Sequence, residues 1–294
     1  MRRRGFIRQV LGTVVAAGLS RVSAAGSSGG AAAGFHATDP VVLGPRRIHA
    51  TRLFLGTGSS GWRGSSNQTR KLGLDGLANY LLDAFRLGIT SWDSADQYGS
   101  HPHLARALQL GIPRDKITIL TKSRAATPAA MRADIARFQR ELGTDVIDIL
   151  LLHCLEDPKW PASMRGVMDV VSQYQEKGVI RSKGVSCHSI GALEAAAAEP
   201  WVEIDLARIN PRGAVMDAPP ETVVPVLRAM KSAGKSVIGM KIFGAGRLLG
   251  EKQECLNYVL NLGCVDAFTI GCENSAQLGE VISLIAAAPR TAKG

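Results

Sequence analysis

Four polar side chains between positions 93 and 153 sit at or just beyond the ends of apolar runs. Asp93 follows Trp92 and has Tyr98 five residues later, Lys122 follows the run 117–120, and His153 follows Ile149 to Leu152. A carboxylate, a phenol, an ammonium and an imidazole brought to one spot can satisfy one another, whereas each buried alone is costly. Singly they have plain alternatives: a turn or cap for Asp93, loop packing for Tyr98, a snorkelling surface lysine for Lys122 and a hydrogen-bonded core residue for His153. Together they suit the supply of a proton to an oxygen on which negative charge gathers, as when hydride adds to a carbonyl carbon. A phenol of pKa about 10 is a weak acid for that task unless its anion is stabilised. Lys122 is therefore expected to acidify Tyr98, Asp93 to hold Lys122 in place, and neutral His153 to donate to the carbonyl oxygen.

Such convergence needs strands that end side by side. Apolar, strand-like runs fall at 52–55, 88–92, 117–120, 146–152, 181–185, 206–209, 236–240 and 266–270. Between them lie helical patterns, such as Leu74, Leu77, Leu81 and Phe85, or Met131, Ile135, Phe138 and Leu142 behind Thr127 as N-cap and Pro128 as first helical residue. Gly88, Gly111, Gly143, Gly178, Gly234 and Gly263 each follow the last periodic residue of a helix and suit its left-handed stop. Repeated strand–helix units predict an α/β fold, a (β/α)8 TIM barrel with its site at the C-terminal strand ends; an open doubly wound sheet is the alternative. Val41 to His49, turning at Gly44 and Pro45, predicts a short N-terminal hairpin ahead of the barrel.

The 294 residues suit one such domain, and the formal charge is +10. Half of that charge comes from five arginines in residues 1–24, which contain no acid, so the basic balance does not point to a nucleic-acid partner. That segment has a basic start, an apolar Val10 to Leu19 and small residues at Val22, Ser23 and Ala24, as a cleaved signal peptide does. Arg3 and Arg4 followed by Gly5, Phe6 and Ile7 resemble a twin-arginine export signal. The expected organisation is a signal peptide over 1–24, a Gly/Ser/Ala linker over 25–38 and a barrel over 39–294, exported folded to the periplasm or beyond without stable membrane insertion. Five cysteines include no CxxC pair and give no metal-site spacing, although Cys154 and Cys187, on adjacent predicted strands, could join under oxidation.

The segments Trp92 to Gly99, Leu120 to Lys122, Asp148 to His153 and Lys183 to Ser186 resemble signature segments of the aldo-keto reductases, in order along most of the chain. The resemblance implies a barrel oxidoreductase that uses NADP(H) and an Asp93, Tyr98, Lys122 and His153 tetrad on a small carbonyl or alcohol substrate. It places Ser186 and Asn210 on the nicotinamide carboxamide, with Cys187 where an Asn is usual, and Met240 where many members stack an aromatic ring. Phe243, Gly244, Gly246 and Arg247 resemble the loop over the pyrophosphate. After the eighth strand the family often sets a cation against the NADP 2′-phosphate. Here Glu273 and Ser275 stand in a segment with no cation, so NAD is the alternative cofactor.

Gly56, Gly58 and Gly61 spell GxGxxG after a strand, but the glycine- and serine-rich residues that follow do not open a helix at once, against a Rossmann site. They suit a substrate loop with Trp62 as a pocket wall. The competing functional reading is a regulatory barrel that binds the cofactor and turns over little.

Overall fold

A computed structural model describes residues 34–291. The proposed signal peptide and most of the proposed linker lie outside the described residues. Among the linker's last residues, 34–38, Phe35 and Ala37 are buried, and the guanidinium groups of Arg52 and Arg290 lie over the Phe35 ring.

An antiparallel hairpin, β1 (Pro40–Leu43) and β2 (Ile48–Thr51), precedes eight parallel strands. These are β3 (Leu53–Gly56), β4 (Ser91–Asp93), β5 (Thr118–Ser123), β6 (Ile147–Leu155), β7 (Ile180–Cys187), β8 (Ile204–Arg208), β9 (Ser236–Met240) and β10 (Ala267–Ile270). They pair in sequence order, and β10 closes on β3, so the sheet has no free edge. The (β/α)8 barrel and its hairpin are thus as the alternating pattern predicts.

Helices cover the outside: α1 (Asn67–Arg86), α2 (His101–Gln109), α3 (Pro128–Leu142), α4 (Trp160–Ser163), α5 (Arg165–Glu176), α6 (Ile190–Ala198), α7 (Pro220–Ser232), α8 (Lys252–Asn261) and α9 (Ser275–Ala287). In α3 the side chain of Thr127 accepts from the Ala130 amide, and Met131, Ile135, Phe138 and Leu142 are all buried against the strands. In α1 the pattern holds for Leu77 and Leu81. Leu74 is exposed, because Gly73 takes a left-handed conformation and turns the first part of the helix off register. All six predicted stop glycines have positive φ.

Two apolar layers result. One lies between strands and helices; the other fills the barrel with Phe54, Leu120, Ile149, Leu151, Leu206 and Ile238 and includes Leu43, Ile48 and Ala50 of the hairpin. The hairpin seals the end where strands begin. The Thr51 amide donates to Ser91, Thr118 donates to the His49 carbonyl, and the Gly44 amide donates to Ser236, each partner opening its strand.

Candidate active site

Alternation along each strand leaves polar side chains as the last inward layer at the open end. Asp93 ends β4 and Lys122 is the fifth residue of β5; the two form a close ion pair with both side chains buried. The ammonium also donates to the Ser94 carbonyl at 2.6 Å, and the second Asp93 oxygen accepts from Thr269 on β10 at 2.9 Å. Both charges are therefore paired and hydrogen-bonded, which a buried ion pair requires.

Tyr98 closes a 3₁₀ turn, Asp96–Tyr98, behind β4, and Gly99 follows in a left-handed conformation. A Cβ at Gly58 or Gly61 would overlap the Tyr98 ring, so two glycines of the GxGxxG string form the slot that holds the phenol. The Lys122 ammonium lies 4.9 Å from the ring centroid, and the His153 ring meets it edge-on at 6.0 Å. The four residues expected to converge do so.

Their electrostatics differ from expectation. Burial, reinforced by the negative charges of Asp93 and Asp96 and by Cys154, holds the Tyr98 phenol well above its ordinary pKa. Lys122 does not acidify it here, because the ammonium is already engaged by Asp93 and the Ser94 carbonyl. Tyr98 is thus a protonated donor throughout the neutral range. Burial also pushes His153 below its usual value, against the pull of Asp96. The His153 Nδ1 lies 3.6 Å from Asp96 Oδ1, while Asp96 Oδ2 accepts from the Arg124 amide at 3.1 Å.

A cavity of about 510 Å³ opens beside Asp93 and Tyr98 and runs past β9 and β10 to α8 and α9. Met240, Phe243, Gly246 and Glu273 line it, as do Lys241, Leu206 and Thr269, which the sequence reading did not single out. Gly244 is buried beneath, in a left-handed turn, and Arg247 is exposed. Ser275 opens α9, with Asn274 as its cap. Ser186 accepts from the Cys154 amide at 3.1 Å. The Asn210 amide donates to the carbonyls of Ala214 and Lys241 and its oxygen accepts from the Arg212 and Ala214 amides, so its bonding is spent on its own loop and on the end of β9. Glu273 is held by Lys71 and by Asn67 at 2.6 Å; these contacts keep it ionised below the usual carboxylate range. Trp62 is half exposed on the β3 loop, with the Arg124 guanidinium 5.8 Å over its ring.

Behind β7 and β8 lies a second titratable group. Asp205 is completely buried and pushed up to about 8 by burial and by Asp217, with one oxygen unpartnered and the Cys187 thiol 3.8 Å from the other. Asp217, paired to Arg208 at 3.1 Å, is raised to about 6 by burial. His188 is pushed down to about 3, by burial first and then by Arg208, His153 and Lys241. All five cysteines are free, and Cys187 faces Asp205 in the outer layer and not Cys154.

A sequence model of the Aldo/keto reductase family matches residues 52–283. A D-threo-aldose 1-dehydrogenase of a Pseudomonas species is 25% identical over 215 residues, 62% of this chain and 64% of that enzyme, so the match spans just under two thirds of the relative. Among solved structures, an aldo-keto reductase from Bacillus halodurans in its holo form is similar with a TM-score of 0.69 at 18% identity, covering 86% of this chain and 92% of the other. The glycerol dehydrogenase of Gluconobacter oxydans has a TM-score of 0.66 at 18% identity, covering 84% and 90%. These structural likenesses speak to the barrel alone. With the family pattern spanning all four converging side chains, the chain belongs to the aldo/keto reductase family.

Proposed function

We propose that this protein is an NAD(P)H-dependent oxidoreductase that interconverts a small aldehyde or ketone and its alcohol, with Tyr98 supplying the proton to the reacting oxygen. The observation that carries this reading is the buried Asp93–Lys122 pair beneath Tyr98 at the edge of a cavity long enough for an extended ligand. When bound, a nicotinamide would supply or take the hydride.

The cavity suits such a group. Gly56, Gly58 and Gly271 give it walls without side chains, and a Cβ at Gly271 would meet the Ser59 hydroxyl. Lys241 places a cation along it that has no ion-pair partner among the described residues, suited to the negative charge of a pyrophosphate. At the far end Glu273 would accept from a ribose hydroxyl and repel a 2′-phosphate, although Lys71 beside it softens that repulsion. A phenol that stays protonated is held ready to donate as the carbonyl oxygen gains alkoxide character, which is when its proton is needed.

Titration with NADPH and NADH, followed by intrinsic Trp fluorescence, tests the reading together with turnover of a generic aldehyde. Binding of either nucleotide with turnover that the Tyr98→Phe variant lacks is expected. Binding without turnover would favour the regulatory barrel, and no binding would reject both. Glu273→Ala is expected to move the NADPH-to-NADH affinity ratio toward NADPH by about tenfold, the scale of one close charge contact.

We further propose export of the folded protein through the twin-arginine route, supported by Arg3 and Arg4 ahead of an apolar stretch. Replacing both by Lys is expected to retain the protein in the cytoplasm, read by cell fractionation. None of the described helices is long and apolar enough to cross a membrane.

A further inference from the structure

The loop after β3 and the turn that carries Tyr98 are tied together at the barrel mouth. The Gly64 amide donates to the Gln97 carbonyl at 2.9 Å, and Gly61, which directly precedes Trp62, packs against the Tyr98 ring. After β5, the Arg124 amide donates to Asp96, two residues before Tyr98. Trp62 and Arg124 are thus each anchored through backbone contacts close to the phenol. Their side chains meet, with the guanidinium 5.8 Å over the indole ring, and both residues stay exposed.

The Arg124 guanidinium has no ion pair and no side-chain hydrogen bond among the described residues, since only its amide is engaged. Nearby acids are committed elsewhere: Asp93 to Lys122, Asp217 to Arg208, and Asp96 to the Arg124 amide through one oxygen with the other turned to His153. Glu156, beyond β6, is exposed and makes no ion pair with it. Positive charge gathers on this side of the mouth, where Arg208, Lys241 and Arg124 all act on His188, and Arg124, Lys122 and Arg208 all act on Cys154. Lys122 and Arg208 have carboxylate partners, and Lys241 lies along the cavity assigned above to the nucleotide. That cavity runs from Tyr98 past β9 and β10, which leaves the Trp62 and Arg124 side to the substrate. An aromatic face fixes the plane of a guanidinium and leaves its N–H edges free, and two parallel donors match a carboxylate.

We propose that Arg124 is a specificity-determining residue that receives a carboxylate carried by the substrate, so that the preferred substrates are short aldehyde or keto acids whose carbonyl reaches Tyr98 while their carboxylate meets the guanidinium. This selectivity rests on the carbonyl-reductase reading above. The carbonyl carbon takes the hydride of the nucleotide, its oxygen takes the Tyr98 proton, and the carboxylate keeps its charge throughout. A carboxylate brings one negative charge to one free guanidinium, whereas a phosphate monoester brings about two into a mouth that also holds Asp96. An uncharged aldehyde leaves the fork in water and gains nothing from it.

The test compares 4-oxobutanoate with butanal, equal in chain length and different in charge, by steady-state kinetics of the wild type and Arg124→Gln. The wild type is expected to favour 4-oxobutanoate in kcat/KM. Arg124→Gln should lower that ratio about tenfold or more, mainly by raising KM for the acid. The backbone amide of residue 124 still holds Asp96 in the variant, so the turn behind Tyr98 stays in place. A ratio that does not fall would overturn the proposal. So would a larger Arg124-dependent gain for glyceraldehyde 3-phosphate over glyceraldehyde, which would assign the guanidinium to phosphate. A second arm needs no turnover: calorimetric titration with 4-hydroxybutanoate, the alcohol that 4-oxobutanoate would yield, in the presence of NADP+ or NAD+. Binding should be about tenfold weaker in Arg124→Gln. Equal affinity in the two proteins, or no binding to the wild type, would also overturn it. If neither aldehyde is turned over, the carbonyl-reductase reading fails and the titration still decides whether Arg124 holds a carboxylate.

Discussion

On β4, β5 and β10, Asp93, Lys122 and Thr269 form a set in which every buried charge has its partner. Around the barrel wall, Asp205 on β8 is buried and His188 just beyond β7 is half-buried, both as neutral groups, one raised to about 8 and the other lowered to about 3. One barrel thus treats ionisable side chains in two ways, at its open end and in its outer layer. Charge is kept where a proton must be supplied and suppressed where no chemistry is assigned. Low polarity magnifies a paired charge and penalises an unpaired one, so the two sectors should respond oppositely to removal of a group.

The largest effect is expected from Tyr98→Phe, which removes the proton supplied in the transition state and little else. Turnover should fall about 10²- to 10⁴-fold with nucleotide affinity nearly unchanged, measured by steady-state kinetics beside fluorescence titration. A loss shared equally between turnover and nucleotide affinity would place the phenol in binding instead. Lys122→Met comes next. It leaves Asp93 buried with only Thr269 as a partner, and should cost about 3–5 kcal/mol of stability by denaturant unfolding. A cost below about 1 kcal/mol would mean that the pair is not desolvated as described.

Asp205→Asn should do the reverse. The folded-state pKa of Asp205 lies above its unfolded value, so the native state holds a proton that the unfolded chain releases as pH rises from about 4 to about 8. Its contribution to stability is therefore complete in acid and lost through that window. The variant should match the native protein near pH 4 and exceed it by about 1–3 kcal/mol near pH 9. The smallest effect concerns His188. Its folded pKa is depressed, so the unfolded chain takes up a proton first and stability falls as pH drops below about 6.5, until the folded value near 3 is reached. His188→Gln should flatten that acid limb by about 1 kcal/mol, read from unfolding at pH 7 and pH 4.5.

The barrel was legible because its signals are local. Hydrophobic period, Thr127 with Pro128, and the six stop glycines each act over a few residues, and eight repeats reinforce one another. The Asp93, Tyr98, Lys122 and His153 convergence followed once their strands were known to be neighbours, since each lies at or near a strand end. What escaped depends on distant atoms. No local signal shows that Gly58 and Gly61 press on the Tyr98 ring, or that Thr269 binds Asp93 across 176 positions. The acidity expected of Tyr98 went astray for a related reason: proximity to Lys122 was foreseen, and the prior engagement of that ammonium was not. Asn210 shows the limit of reading a residue type at a strand end, because backbone groups of its own loop and of Lys241 take up its bonding capacity.

The β1–β2 hairpin adds Leu43, Ile48 and Ala50 to the apolar filling at the base of the barrel. With the interior packed and its underside covered, anything that meets Tyr98 comes by way of the rim.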